Sequence, residues 1–249
     1  MNEISSACES VSFVSGGYLL KGFLHLPDAD CPPVVIGAHG LFSSGASEKQ
    51  IALAKTCNEN GMGFLRFDHR GIGESEGDLN RVTTLEGRSE DLATAIEMIM
   101  NRKDTGDRFG IFGSSFGGAV ALNVAGRTNP NALVTVAAPV KISSAEAVEA
   151  IDRAGESDIP NQSFFRNKLD FDISDRISKI QNILIFHGDQ DRVIPVSNAY
   201  MIYEKAMEPK KLIIQKNGDH RISHSHHQEE FVRETTKWFA EKLCPRFST

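Results

Sequence analysis

Two adjacent serines stand between glycines in FGIFGSSFGGAV, Phe109 to Val120. A serine hydroxyl is a poor nucleophile at neutral pH unless the fold exposes it, a base takes its proton and donors await the developing oxyanion. Gly113-Ser114-Ser115-Phe116-Gly117 has the GxSxG spacing of a nucleophile elbow, a tight turn between a strand and a helix. Only Ser115 has a glycine two residues away on each side; Ser114 has Phe112 and Phe116 there. The frame selects Ser115 and leaves Ser114 as the small residue inside a crowded turn, where a side chain at Gly113 or Gly117 would collide with the neighbouring strand or helix.

Such a nucleophile needs an acid and a histidine, following it in that order along the chain. Five histidines follow: His187, His220, His224, His226 and His227. His220 lies in the short loop NGDH, after the strand-like KKLIIQK and before the last helix, from which it can swing over the elbow. His224, His226 and His227 have no carboxylate or cysteine at a ligand spacing, so a solvated helix start is favoured over a metal site. For the acid, HGDQDRVIP offers Asp189 and Asp191 at a strand end. Position in the loop does not decide between them.

Strands and helices must hold these groups. VSFVS and YLLKGFLHLP, joined by Gly16 and Gly17, read as a hairpin. PPVVIGAHG, GFLRFDH, RFGIFG, NALVTVAAP, NILIFHGD and KKLIIQK then read as strands, mostly short apolar runs of the kind buried in parallel sheets. Helical spacing separates them over Glu48 to Asn60, over TTLEGRSEDLATAIEMIM with Leu85, Leu92, Ile96 and Ile99 on one face, over FGGAVALNVAGR and over PVSNAYMIYEKAM. A final amphipathic helix carries Phe231, Thr235, Trp238 and Phe239. The alternation predicts one doubly wound, mostly parallel sheet with helices on both faces. Only Lys141 to about Asp175 breaks the rhythm, with a Ser-Asp-Ile-Pro turn and the pair Phe164 and Phe165, and such a break reads as a functional insertion.

Composition narrows the function classes. At 249 residues, 40% apolar and 24% charged, the chain can bury a large core and has neither a disordered nor a membrane composition. A net charge of -6 with scattered lysines and arginines argues against nucleic-acid binding. Cys8, Cys31, Cys57 and Cys244 form no CxxC pair and read as reduced thiols. With no membrane span and no signal-like start in MNEISSACES, a cytoplasmic location is the expectation.

HGLFSSG, FDHRGIGESEGD, GSSFGG, HGDQDRVIP and NGDHRI together resemble the α/β-hydrolase superfamily of serine hydrolases, in particular its small esterase and acyl-peptidase-like branches. The resemblance runs from about His39 to the last helix. It implies the α/β-hydrolase fold: an α/β chain with a single mostly parallel eight-stranded sheet, helices on both faces and a short lid insertion at about residues 141–175, all in one domain spanning 1–249. It also implies that Asp191 is the acid, that His220 is the base, and that the backbone N–H groups of Leu41 and Phe116 form the oxyanion hole. Asp68, Arg70, Gly71, Gly73 and Ser75 match the family's DxRGxGxS loop, expected to be structural, with arginine and aspartate bracing it beside the elbow.

The expected activity is hydrolysis of a small-molecule carboxylic ester or thioester through an acyl-enzyme, with no cofactor and no metal. Phe42, Phe164 and Phe165 are candidate substrate contacts. Two alternatives remain: an aminopeptidase or acyl-peptide hydrolase using the same three residues, and a non-catalytic ligand-binding protein on the same scaffold. Acyl length and oligomeric state are not legible in the sequence.

Overall fold

The apolar runs VVIGA, FGIFGS, ALVTV and ILIFHG form β3 (Val34–Ala38), β5 (Phe109–Ser114), β6 (Ala132–Val136) and β9 (Ile183–Gly188), almost wholly buried because helices cover both their faces. The computed structural model describes residues 7–143 and 169–244, together with residues 145, 146, 149 and 153. Flanking these strands are β1 (Ala7–Ser15), β2 (Tyr18–Leu26), β4 (Gly63–Phe67) and β10 (Lys210–Gln215). The eight run in the order β1-β2-β4-β3-β5-β6-β9-β10. β2 is antiparallel to both β1 and β4, and the remaining neighbours are parallel, so the sheet is eight-stranded and mostly parallel as expected.

Helices cover both faces. α1 (Glu48–Glu59) and α6 (Ser225–Leu243) bury Leu53, Cys57, Phe231 and Phe239 against one face of the sheet. The other face receives α3 (Leu85–Met100), α4 (Phe116–Thr128) and α5 (Ser197–Lys205), through Leu92, Ile96, Val120, Val124 and Ile202. Each such large aliphatic side chain removed from water contributes roughly 1.5 to 3 kcal/mol before the entropy cost of ordering it. A single turn, α2 (Leu79–Val82), precedes α3 and has no counterpart in the periodicity of the sequence. Thr84 caps α3 by accepting from the Gly87 N–H, and Gly61, at a φ of 75°, turns the chain out of α1.

The segment that breaks the alternation leaves β6 and returns before β9. Its two ends meet in a small antiparallel pair, β7 (Lys141–Ile142) with β8 (Phe171–Asp172). Phe164 and Phe165 lie outside the described residues. Among the described residues, no helix is long and apolar enough to cross a membrane, and all four cysteines are free thiols.

Starting from β3, the chain passes to β4 on one side and then to β5 on the other. The loops leaving β3 and β5 therefore diverge, opening a crevice at the carboxyl ends of the strands where open α/β sheets bind ligands. The HGLF, GSSFG, HGDQD and NGDH segments all emerge at those ends.

Candidate active site

Ser115 joins β5 to α4 with φ 54° and ψ −123°, a conformation that costs a non-glycine residue about 1 to 3 kcal/mol. The surrounding structure holds it there: its N–H donates to Val136 O at 2.8 Å, and its carbonyl accepts from Gly118 N at 2.7 Å. The flanking glycines are steric necessities. A Cβ on Gly113 would meet the Gly117 carbonyl and stand 2.7 Å from Ala121 Cβ, and one on Gly117 would collide with the carbonyls of Ala38 and His39.

Ser115 Oγ lies 3.0 Å from Nε2 of His220, and Nδ1 of His220 lies 2.7 Å from Oδ2 of Asp191. The other Asp191 oxygen accepts the N–H groups of Val193 and Ile194, both at 2.8 Å. His187 Nε2 is 3.2 Å from Oδ2 and 2.8 Å from Ile194 O. Burial pushes the Asp191 carboxyl upward, but the hydrogen bonds from His187, His220 and the loop outweigh it and hold the group well below the usual carboxylate range. Its side chain is fully buried and that of His220 is 15% exposed, so the carboxylate is sealed while the imidazole can reach a substrate.

Asp189, the other acid of the loop, is exposed and accepts the Asn217 N–H at 2.7 Å. Gln190 N donates to Gly218 O at 2.9 Å, so the loops carrying Asp191 and His220 are fastened to each other.

Leu41, Phe42 and Phe116 line the same cavity as Ser115 and His220, a space of about 510 Å³. Ile142 and Leu169, from the two ends of the irregular segment, line it as well. Gly40 packs against the elbow, where an added Cβ would stand 3.6 Å from Ser115 Cβ.

Behind the Gly40–Leu41 loop lies a buried polar cluster. His39 Nδ1 is 2.8 Å from Gly40 O, and its Nε2 accepts the His69 N–H at 3.1 Å. Arg88, fully buried on α3, donates to Gly40 O at 3.2 Å and to Leu41 O at 2.8 Å. Asp91 accepts from Arg70 Nε and Nη2 at 2.8 and 2.6 Å and sits 3.3 Å from His69 Nδ1.

Thus Arg70 pairs with Asp91 of α3 and not with the aspartate of its own loop motif. Asp68 instead accepts the Gly45 N–H at 2.7 Å, and Ser75 donates to its carbonyl at 2.6 Å. The arginine and aspartate expected to brace the loop thus tie it to α3 and to Gly45, the last residue of HGLFSSG.

Arg88 and Asp91 lie outside every motif, and His187, although it opens HGDQDRVIP, gave no sign there of its contact with Asp191. Arg88 falls between Leu85 and Leu92 in the apolar stripe of α3, so a charge within a core-facing stripe was the available signal. At the start of α6, His224 and His226 are exposed and His227 is buried, their rings 3.9 to 5.6 Å apart. Among the described residues no group of three or more histidines, cysteines or carboxylates is arranged to hold a metal ion.

The profile of a family described as serine aminopeptidase, S33, matches residues 32–178. The uncharacterized protein YfhR of Escherichia coli strain K12 is 27% identical over 237 residues, covering 92% of this chain and 78% of that protein. The mitochondrial palmitoyl-protein thioesterase ABHD10 of Mus musculus is 26% identical over 217 residues, covering 76% and 69%. Among solved structures, Est1E of Butyrivibrio proteoclasticus with bound ferulic acid superposes with a TM-score of 0.77 at 21% identity, covering 94% of this chain and 99% of that one. Likeness at that identity bears on the fold alone.

Proposed function

Since the chain belongs to the serine aminopeptidase S33 family and has the α/β-hydrolase fold, we propose that it hydrolyses a carboxylic ester or thioester by acyl transfer through Ser115, His220 and Asp191. The observation that carries this reading is the continuous relay from Ser115 Oγ through His220 to Asp191, at 3.0 and 2.7 Å, opening onto the cavity.

In this reading His220 Nε2 takes the Ser115 proton as Oγ attacks the substrate carbonyl carbon. The carbonyl electron pair moves to oxygen, where the Leu41 and Phe116 N–H groups receive it; one such donor is worth about 3 to 4 kcal/mol of transition-state stabilisation. The pair returns, the bond to the alcohol or thiol breaks, and His220 hands the proton to the departing group. Water, deprotonated by the same histidine, then releases the acid. The low pKa of Asp191 keeps it ionised, so it orients the imidazole and stabilises the imidazolium without taking the proton.

The lining favours esters over the free peptide amines an aminopeptidase must hold. Glu48 is the one acid among the described lining residues, and the cations Lys49 and Arg221 line the same cavity. The relationship to a palmitoyl-protein thioesterase keeps thioesters within the proposal. The described ends of the insertion wall the cavity in this reading, with Phe42, Ile142 and Leu169 touching the acyl or alcohol portion.

The test is labelling by a fluorophosphonate probe together with turnover of p-nitrophenyl esters, matching thioesters and amino-acid p-nitroanilides. Wild type should label and cleave esters or thioesters, and Ser115→Ala should do neither. Equal labelling of both proteins refutes the nucleophile. Comparable kcat/KM on the anilides transfers the reading to the peptidase, and a protein that never labels but binds a small molecule tightly transfers it to a binding role.

A further inference from the structure

We infer that Arg88 is a positioning residue for the oxyanion site, aiming the Leu41 N–H at the reacting carbonyl by holding two consecutive peptide oxygens from behind. This rests on the proposed role of Ser115 and of the Leu41 and Phe116 amides.

In a planar trans peptide the C=O of one residue and the N–H of the next point in opposite directions. The Gly40 carbonyl and the Leu41 N–H belong to one such plane. Arg88 Nη1 donates to Gly40 O at 3.2 Å. His39 Nδ1 donates to the same oxygen at 2.8 Å, its proton placed there because Nε2 accepts from the His69 N–H. The Ser43 N–H also donates to that oxygen, at 3.2 Å, and with the carbonyl held by these three donors the Leu41 N–H of the same peptide faces the opposite way. Arg88 Nη2 holds Leu41 O at 2.8 Å and so fixes the following peptide too. A guanidinium has the rigid planar fork to do both; a lysine ammonium does not.

Arg88 is completely buried, and its Nε has no hydrogen-bond partner. Among the described residues it forms no ion pair, because Asp91, one turn along α3, is engaged by Arg70 and His69. Burial lowers the Arg88 pKa to about 9, with Asp91 opposing from a distance, so the group remains a cation at neutral pH. Its guanidinium carbon also lies 5.4 Å from the ring centroid of Phe116, the residue that carries the second proposed donor. A buried cation without a direct counter-charge is costly in a resting protein. Beside the place where negative charge develops, it becomes complementary to the transition state.

The experiment compares full-length wild type, Arg88→Met and Arg88→Lys on one p-nitrophenyl ester. It measures kcat, KM and the inhibition constant of a matching trifluoromethyl ketone, whose serine adduct carries an oxyanion. Arg88→Met is expected to lose about 100-fold in kcat, with KM nearly unchanged and ketone affinity weakened by a similar factor. Arg88→Lys, which retains charge but can hold only one carbonyl well, is expected to fall between wild type and Arg88→Met in both quantities.

A folded Arg88→Met with wild-type kcat overturns the inference, as does a kcat loss that leaves ketone affinity untouched. Should Arg88→Met fail to fold, Arg88→Lys decides: a parallel loss in kcat and ketone affinity supports the role, and wild-type values overturn it. Absence of ester turnover and labelling in wild type instead refutes the site reading, and this inference with it.

Discussion

Oδ2 of Asp191 faces Nδ1 of His220 at 2.7 Å, while Oδ1 is occupied by the N–H groups of Val193 and Ile194. The two oxygens thus have separate tasks, one building the loop and the other orienting the imidazole. In Asp191→Asn the amide oxygen can keep the loop bonds, which places the NH2 opposite Nδ1. That reverses the imidazole tautomer and puts a hydrogen on Nε2, where a lone pair is needed. The expected result is a folded protein with kcat reduced about 10⁴-fold, checked by steady-state kinetics alongside circular dichroism.

Ser114 and Gly117 flank Ser115 and should respond in opposite ways. Ser114→Ala removes a hydroxyl from a partly exposed side chain and should change stability by less than about 1 kcal/mol, with turnover retained. Gly117→Ala drives a methyl group into the carbonyls of Ala38 and His39 and should cost at least about 3 kcal/mol. Urea melts of the two proteins check this; an inactive but normally stable Ser114→Ala would reopen the choice between the serines.

Acid should weaken the fold well before ordinary carboxylates titrate. Burial lowers His69 to about 4, partly opposed by its hydrogen bond to Asp91. His39 lies well below its usual value through burial and the nearby His69 and Arg88. Burial acts to raise Asp91, but His69 and Arg70 hold it at about 2. As pH falls through about 6.5 the unfolded chain binds protons at both histidines while the folded chain does not, so stability declines towards pH 4. Below about pH 4 the contribution of Asp91, fully present above its unfolded pKa, is lost in turn as pH approaches 2. Melting temperatures measured from pH 7.5 to 4.5 should fall steadily; a flat profile would contradict the folded-state values.

Ile142 sits half-buried in β7 on the cavity wall. Ile142→Trp should fill part of the space and lower kcat/KM for long-chain p-nitrophenyl esters about tenfold relative to the acetate. An unchanged chain-length profile would place the acyl chain elsewhere in the cavity.

Much of this was legible because it rests on local patterns. The glycine spacing of GSSFG, between a strand and a helix, selected Ser115, and the two glycines it marks are positions where an added Cβ would clash. The central strands stood out because strands covered on both faces must be apolar along their length, and β1 and β2 because two β-rich runs meet at Gly16 and Gly17. The choice between Asp189 and Asp191 required the resemblance, since both leave the same strand and only the folded loop turns one inward. Arg88 was missed for a different reason. Its partners are backbone carbonyls 47 and 48 residues away, and backbone acceptors leave no trace in residue identity.

The pairing of Lys141 with Asp172 and of Ile142 with Phe171 brings the described ends of the irregular segment together beside the cavity wall that Ile142 helps to form. Ile142, which lines the cavity, is thereby placed by main-chain pairing, so a change of its side chain alters the space at that wall without moving the backbone that carries it.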